Sequence, residues 1–163
     1  MTKTILIATD FSLESLDILK KVLKKKHEQN DENKYNILFV SGYDMGDSIR
    51  DLLFTTKSTV FGKIRPQEFC DAYSIINNKY PHLINKITCD IFTGSFQRAF
   101  NNYIEAANVD EAYYPTSKSK NLNKNQFEIA TYLKKNKHVE AREVVTQTTE
   151  LMPEKGRLAE VFL

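Results

Sequence analysis

No apolar run in this 163-residue chain approaches the ~20 residues that a membrane-spanning helix needs, and Thr2 and Lys3 lead straight into a strand-like segment. A spanning helix is excluded, and a cytoplasmic protein is expected. Cysteine is scarce: Cys70 and Cys89 stand in apolar-patterned segments with no CxxC and no histidine nearby to suggest a metal site, which points to buried thiols in a reducing compartment. The three histidines, His27, His82 and His138, are isolated in sequence, with no ligand or dyad spacing among them. Excess charge is missing too. A formal net charge of +2 is too small to imply a nucleic-acid partner, so the local cluster Lys20, Lys21, Lys24, Lys25 and Lys26 reads as a solvated helix face. There is no internal repeat and no low-complexity segment.

What is present is ordinary globular composition, with 41% apolar and 27% charged residues in a length that suits one domain and one core. Thr4 to Ala8 is a short continuous apolar run, the pattern of a strand covered on both faces of a parallel sheet. Ser12 is a candidate N-cap for a helix carrying Leu13, Leu16, Leu19 and Leu23, with acids early and lysines late. A second strand, Ile37 to Val40, ends at the turn signal Ser41-Gly42. A short helix is expected around Ile49 and Leu53, then a Thr/Ser/Lys-rich loop, then a helix opened by Pro66 and stopped by Pro81. The third strand is Ile87 to Phe92. It leads through Thr93-Gly94-Ser95 into a helix whose stripe includes Phe96, Phe100, Tyr103 and Ile104. A short strand at Ala112 to Tyr114, a helix carrying Phe127, Ala130 and Leu133, and a last strand Val144 to Thr146 complete the pattern. Strands alternating with helices specify a parallel sheet with right-handed crossovers, hence an α/β doubly wound sandwich. The domain spans residues 1–150, and residues 151–163 form a tail.

Ligands of open parallel sheets bind beyond the carboxyl ends of the strands, where strand order reverses. The loops at Thr9-Asp10, at Val40, at Gly94 and at Thr116-Ser117-Lys118 therefore carry the candidate site. Asp10 has two readings: an acceptor for a ribose or adenine, or an organiser of the turn into the first helix. Ser117, Lys118 and Ser119 offer hydroxyls and charge ahead of a helix, a setting for phosphate, although an exposed polar loop is the plainer reading.

The opening Lys3-Thr4-Ile5-Leu6-Ile7-Ala8-Thr9-Asp10-Phe11-Ser12 resembles the first strand and turn of universal stress proteins. The spacing to Ile37–Val40, Gly94 after the third strand, and Asp110-Glu111 before the fourth extend the resemblance over residues 3 to 147. It implies a five-stranded parallel sheet of order 3-2-1-4-5, an adenine nucleotide alpha hydrolase-like, Rossmann-like three-layer sandwich. ATP-binding members of that family carry two glycines three apart after the fourth strand and a third ten later. Here the stretch from Pro115 through Lys118 to Glu128 has none of them, and Pro115 also removes an amide donor. Lys118 or Lys120 offers partial compensation, and Asp10 and Val40 match positions that contact adenosine in the binding members.

The resemblance implies a non-catalytic stress-response or regulatory protein with weak or no ATP binding. A homodimer through the last strand at Val144 and Val145 is expected, since that strand lies at the sheet edge and the resemblance points the same way. The tail from Leu151 to Leu163, apolar at Leu158, Val161, Phe162 and Leu163, is expected to cross to the partner, the alternative being that it covers the edge of its own subunit and leaves a monomer. The alternative is an adenine-nucleotide binder or slow nucleotide hydrolase, with ATP or another adenine nucleotide as ligand. No nucleophile–base pair is recognisable, so that enzyme reading rests on fold analogy. Synthetase-like relatives need a glycine-rich loop directly after the first strand, which Thr9-Asp10-Phe11-Ser12 does not supply. A phosphoacceptor receiver would need an acidic pair there, and only Asp10 is present.

Overall fold

The computed structural model describes residues 2–46, 48–119 and 122–146, without the side chains of residues 51 and 52. Lys120 and the tail from Leu151 to Leu163 lie outside the described residues. The first strand, β1 (Thr2–Ala8), is the middle of the sheet because Ile5, Leu6 and Ile7 are buried on both faces. Its register runs Ile5 to Ile37, Leu6 to Leu38 and Ile7 to Phe39 on β2 (Lys34–Tyr43), and Ile5 to Glu111 and Leu6 to Ala112 on β4 (Glu111–Pro115). The period of two then divides the chain between two cores. Ile5, Ile7, Ile37 and Phe39 pack with Leu16, Leu19 and Leu23 of α1 (Leu16–Glu28) and with Phe69, Ala72 and Ile76 of α4 (Gln67–Lys79). Leu6, Ala8 and Val40 face Phe100 and Ile104 of α5 (Gln97–Ala106) and Leu133 of α6 (Ala130–Lys135). Helices on both faces of one sheet make the expected three layers.

Among the described residues, the sheet runs β3-β2-β1-β4-β6, with β3 at Ile84–Phe92 and β6 at Ala141–Val144. All four pairings along this path are parallel, which is the implied order with β6 as its fifth strand. A sixth strand, β5 (Gln126–Phe127), adds antiparallel to the end of β2. It changes two sequence expectations. Phe127 is a strand residue rather than part of the last helix, and β2 does not stop at Ser41-Gly42 but continues to Tyr43, since Gly42 and Tyr43 pair with Phe127 and Gln126. Gly42 is required there: a Cβ on it would lie 2.3 Å from the Phe127 ring.

Other departures have local causes. The Thr/Ser/Lys-rich stretch is not a loop but α3 (Lys57–Ile64), because the Thr56 hydroxyl accepts the Thr59 amide at 3.2 Å while Val60 and Ile64 bury one face. The short helix α2 (Ile49–Phe54) forms but leaves Ile49, Leu53 and Phe54 exposed. Phe96 precedes the first turn of α5 and is 72% exposed, so it does not belong to the buried stripe. The last strand begins three residues earlier than expected, and Val145, beyond its end, is 67% exposed. Cys70 and Cys89 are half-buried rather than buried. The lysine cluster is not uniformly solvated either, since Lys26 turns inward to Glu111 at 3.1 Å.

Candidate functional site

In this strand order the crossovers from β1 to β2 and on to β4 place helices on opposite faces, so the loops diverge between the ends of β1 and β4. A cavity of about 160 Å³ opens there, lined by Thr9, Asp10, Thr116, Ser117 and Lys118 together with Ser119 and Glu128. Five of the sequence-derived candidates are thereby brought together. Val40 and Gly94 are not among the lining residues. Val40 is fully buried in the core shared with α5, and Gly94 lies under the Phe92 ring, which a Cβ would approach to 2.6 Å.

The β1–α1 turn is held by its own side chains. Thr9 Oγ1 accepts the Phe11 amide at 2.8 Å and is 2.6 Å from Ser15 Oγ, which donates to the Ser12 carbonyl at 2.7 Å. Phe11 has a left-handed φ of 61°, unusual for a bulky residue and of order 1 kcal/mol or more uphill, and persists because its ring is locked edge-on to Phe61 and Phe69. Asp10 then works as an organiser. Its Oδ1 accepts the Ser12 amide at 2.9 Å, and its Oδ2 accepts the Ser119 hydroxyl from the loop after β4. Both carboxylate oxygens already have donors.

The loop after β4 is closed from its other end by Glu128, whose Oε1 accepts the Ser119 amide. That amide is the kind of donor a phosphate would use. The loop does not run directly into a helix, as expected from sequence, but into β5 first, and α6 has only six residues. Gln126 is buried on β5, donating through Nε2 to Ser41 Oγ at 2.9 Å and to the Asp10 carbonyl at 3.3 Å, so it bridges the ends of β1 and β2. Among the described residues the cavity wall carries three carboxylates, Asp10, Glu14 and Glu128, and two lysines, Lys118 and Lys134. A second, more open space of about 470 Å³ lies across the same turn, bounded by Phe11, Leu13, Ile64, Glu68 and Gln126.

Gln126, Glu128 as an acceptor, and Lys134 were not identified as site residues from sequence. Gln126 reaches the site through the pairing of β5 with β2, which no local pattern announces.

No family model matches the chain, and no curated protein sequence matches it. Solved structures do. A protein of the universal stress protein family from Burkholderia pseudomallei has a TM-score of 0.54 at 10% identity, covering 87% of this chain and 95% of its own. A universal stress protein family protein from Arabidopsis thaliana, crystallised with AMP bound, has a TM-score of 0.52 at 10% identity, covering 91% and 95%. The fold is that of the universal stress proteins. At this identity the likeness carries the architecture, and the chemistry must come from the residues themselves. Against the universal stress protein resemblance, the glycines are absent and their place is taken by Pro115, Lys118 and a carboxylate that consumes an amide.

Proposed function

We propose that this chain is a universal stress protein-like regulatory protein, cytoplasmic, non-catalytic and dimeric, that does not hold ATP firmly. The observation that carries the reading is the self-satisfied loop after β4: Asp10 takes the Ser119 hydroxyl and Glu128 takes its amide. A triphosphate would have to displace two carboxylates and would meet a wall that, among the described residues, has more acids than lysines. Titration calorimetry with ATP and magnesium tests this. The expected result is no binding tighter than about a micromolar dissociation constant, roughly 8 kcal/mol, and tighter binding refutes it.

The homodimer is proposed through β6, the edge strand, where unpaired backbone groups of two copies can pair antiparallel. Val144 is half-buried and Val145 exposed at its end. Light scattering at micromolar concentration is expected to give a dimer that Val145→Glu weakens, and a full-length monomer refutes it.

A second reading, an adenine-nucleotide binder or slow hydrolase, is favoured by the position of the cavity at the reversal of strand order and by the AMP in the Arabidopsis protein. Calorimetry with AMP separates the two readings, because a monophosphate needs less of the closed loop. Saturable AMP binding lost in Lys118→Ala would support this second reading.

A further inference from the structure

His27 stands in the last turn of α1 and His82 in the turn between α4 and β3, 55 positions apart in the chain. The fold nevertheless brings His27 Nδ1 to 3.2 Å from His82 Nε2, with ring centroids 5.2 Å apart and planes inclined by 63°. The histidines that looked isolated in sequence are therefore a pair. Both rings are exposed, but what holds them is not. Tyr80 is buried and meets the His27 ring edge-on at 5.8 Å and the His82 ring at 6.5 Å. Leu83, next to His82, is fully buried; its amide donates to the Tyr80 carbonyl at 3.1 Å and its carbonyl accepts the Tyr35 amide at 2.7 Å. Lys26, next to His27, is fixed by Glu111. Two imidazoles are thus presented on a rigid base.

Two ring nitrogens at this separation can share a proton or a cation. Ligand nitrogens each about 2.0–2.1 Å from a tetrahedral metal ion stand about 3.3 Å apart, so the pair is already set at the bite of a chelate. We propose that His27 and His82 form a bidentate surface site for one late first-row divalent metal ion of the zinc, nickel or copper class, the ions that imidazole favours. Each neutral imidazole has one N–H. In the metal-free pair one of the two facing nitrogens donates to the other, and metal binding requires both facing lone pairs. The donor ring therefore moves its proton to its outer nitrogen, His27 Nε2 or His82 Nδ1, and coordination needs neither net proton release nor a redox change. Among the described residues no third His, Cys, Asp or Glu completes a ligand group with them, so water fills the remaining positions and the site stays open. It lies where β3 begins, at the opposite end of the strands from the cavity, and is independent of any nucleotide.

Calorimetric titration of the full-length chain with zinc chloride, at neutral pH in a buffer without chelators, tests the site. One zinc site is expected, weakened by more than about tenfold in His27→Asn and in His82→Asn, since even outer-shell losses around a metal cost about that much. His138→Asn should leave it unchanged. Both altered side chains are exposed, and unchanged circular dichroism will show that the variants fold. Imidazole nitrogen resonances of His27 and His82, and not of His138, should shift on adding zinc. Absence of zinc binding by the unaltered chain overturns the proposal. So does zinc binding that persists in the His27→Asn/His82→Asn double variant, which would assign it to Cys70 and Cys89 or elsewhere.

Discussion

Lys26 is the residue whose replacement tests the folding argument most sharply. Its Nζ lies 3.1 Å from both carboxylate oxygens of Glu111, 3.9 Å from Asp31 Oδ2 and 4.4 Å above the Tyr35 ring. The Tyr113 hydroxyl donates to Glu111 at 2.8 Å and the Tyr35 hydroxyl to Asp31 at 2.6 Å, so the ammonium is shared by two carboxylates that each hold a hydroxyl as well. Lys26→Met keeps the stem packed on Tyr35 but leaves both acids facing each other. A pair at this distance is worth about 5 kcal/mol gross at an effective dielectric near 20, most of it offset by desolvation. Breaking a fully buried pair costs about 3–5 kcal/mol. Here the side chains are 11%, 27% and 16% exposed for Lys26, Glu111 and Asp31, so partial solvation lowers the expected loss to about 2 kcal/mol. For a chain of this length that lowers Tm by roughly 4–8 °C.

Urea unfolding followed by circular dichroism measures the loss, and a cycle with Glu111→Gln gives the coupling. The double variant should lose at least about 1 kcal/mol less than the sum of the single losses, because the charge left uncompensated by Lys26→Met is then absent. A Lys26→Met loss below about 0.5 kcal/mol, or a strictly additive double variant, refutes the reasoning.

The same network sets a pH response and the β5 pairing sets a steric one. Asp31 is held below the usual carboxylate range, first by the Tyr35 hydroxyl and then by the Asn33 amide and Lys26, against the opposing effect of burial. A depressed folded-state value means that this contribution is complete above the ordinary pKa of about 3.9 and is lost as pH falls through the lower one. Tyr35→Phe should therefore flatten the acid limb of a stability–pH profile below about pH 4, and an unchanged limb contradicts it. Gly42→Ala places a methyl 2.3 Å from the Phe127 ring and should destabilise by about 1–3 kcal/mol, with Phe127→Ala in the same chain restoring part of the loss. If the pair of substitutions in one chain is no less destabilising than the sum of each alone, β5 is not what requires the glycine.

How much of this was legible follows from where each signal is stored. The runs Ile5–Ile7 and Ile37–Val40 name a doubly covered sheet because a strand buried on both faces has no polar alternation, and period two then assigns alternate residues to the two cores. Asp10, Thr116, Ser117 and Lys118 were legible as cavity residues for the same topological reason: they follow strand ends at the reversal of order. β5 was not. It is two residues long, and its contacts to Ser41 and Gly42 span 85 positions, too short and too distant for any periodicity to register. α3 was misread from composition, although Thr56 and the Val60–Ile64 spacing contained its cap and its buried face.

On the proposed reading, the missing glycines and the closed loop are two separate obstacles to phosphate, and only the first is visible in sequence. Glycine matters because its absence of a side chain lets the backbone approach and turn around an anion. Restoring it at position 128 would also remove the Glu128 carboxylate that accepts the Ser119 amide, but the Ser119 hydroxyl would stay on Asp10 and Gln126 would still bridge β1 to β2. Glu128→Gly alone should therefore leave ATP binding weaker than about micromolar, whereas Glu128→Gly with Asp10→Asn removes both negative charges that grip Ser119. Calorimetry on the two variants decides the point. A micromolar ATP site in Glu128→Gly by itself would mean that a single carboxylate, rather than the tied loop, excludes the nucleotide.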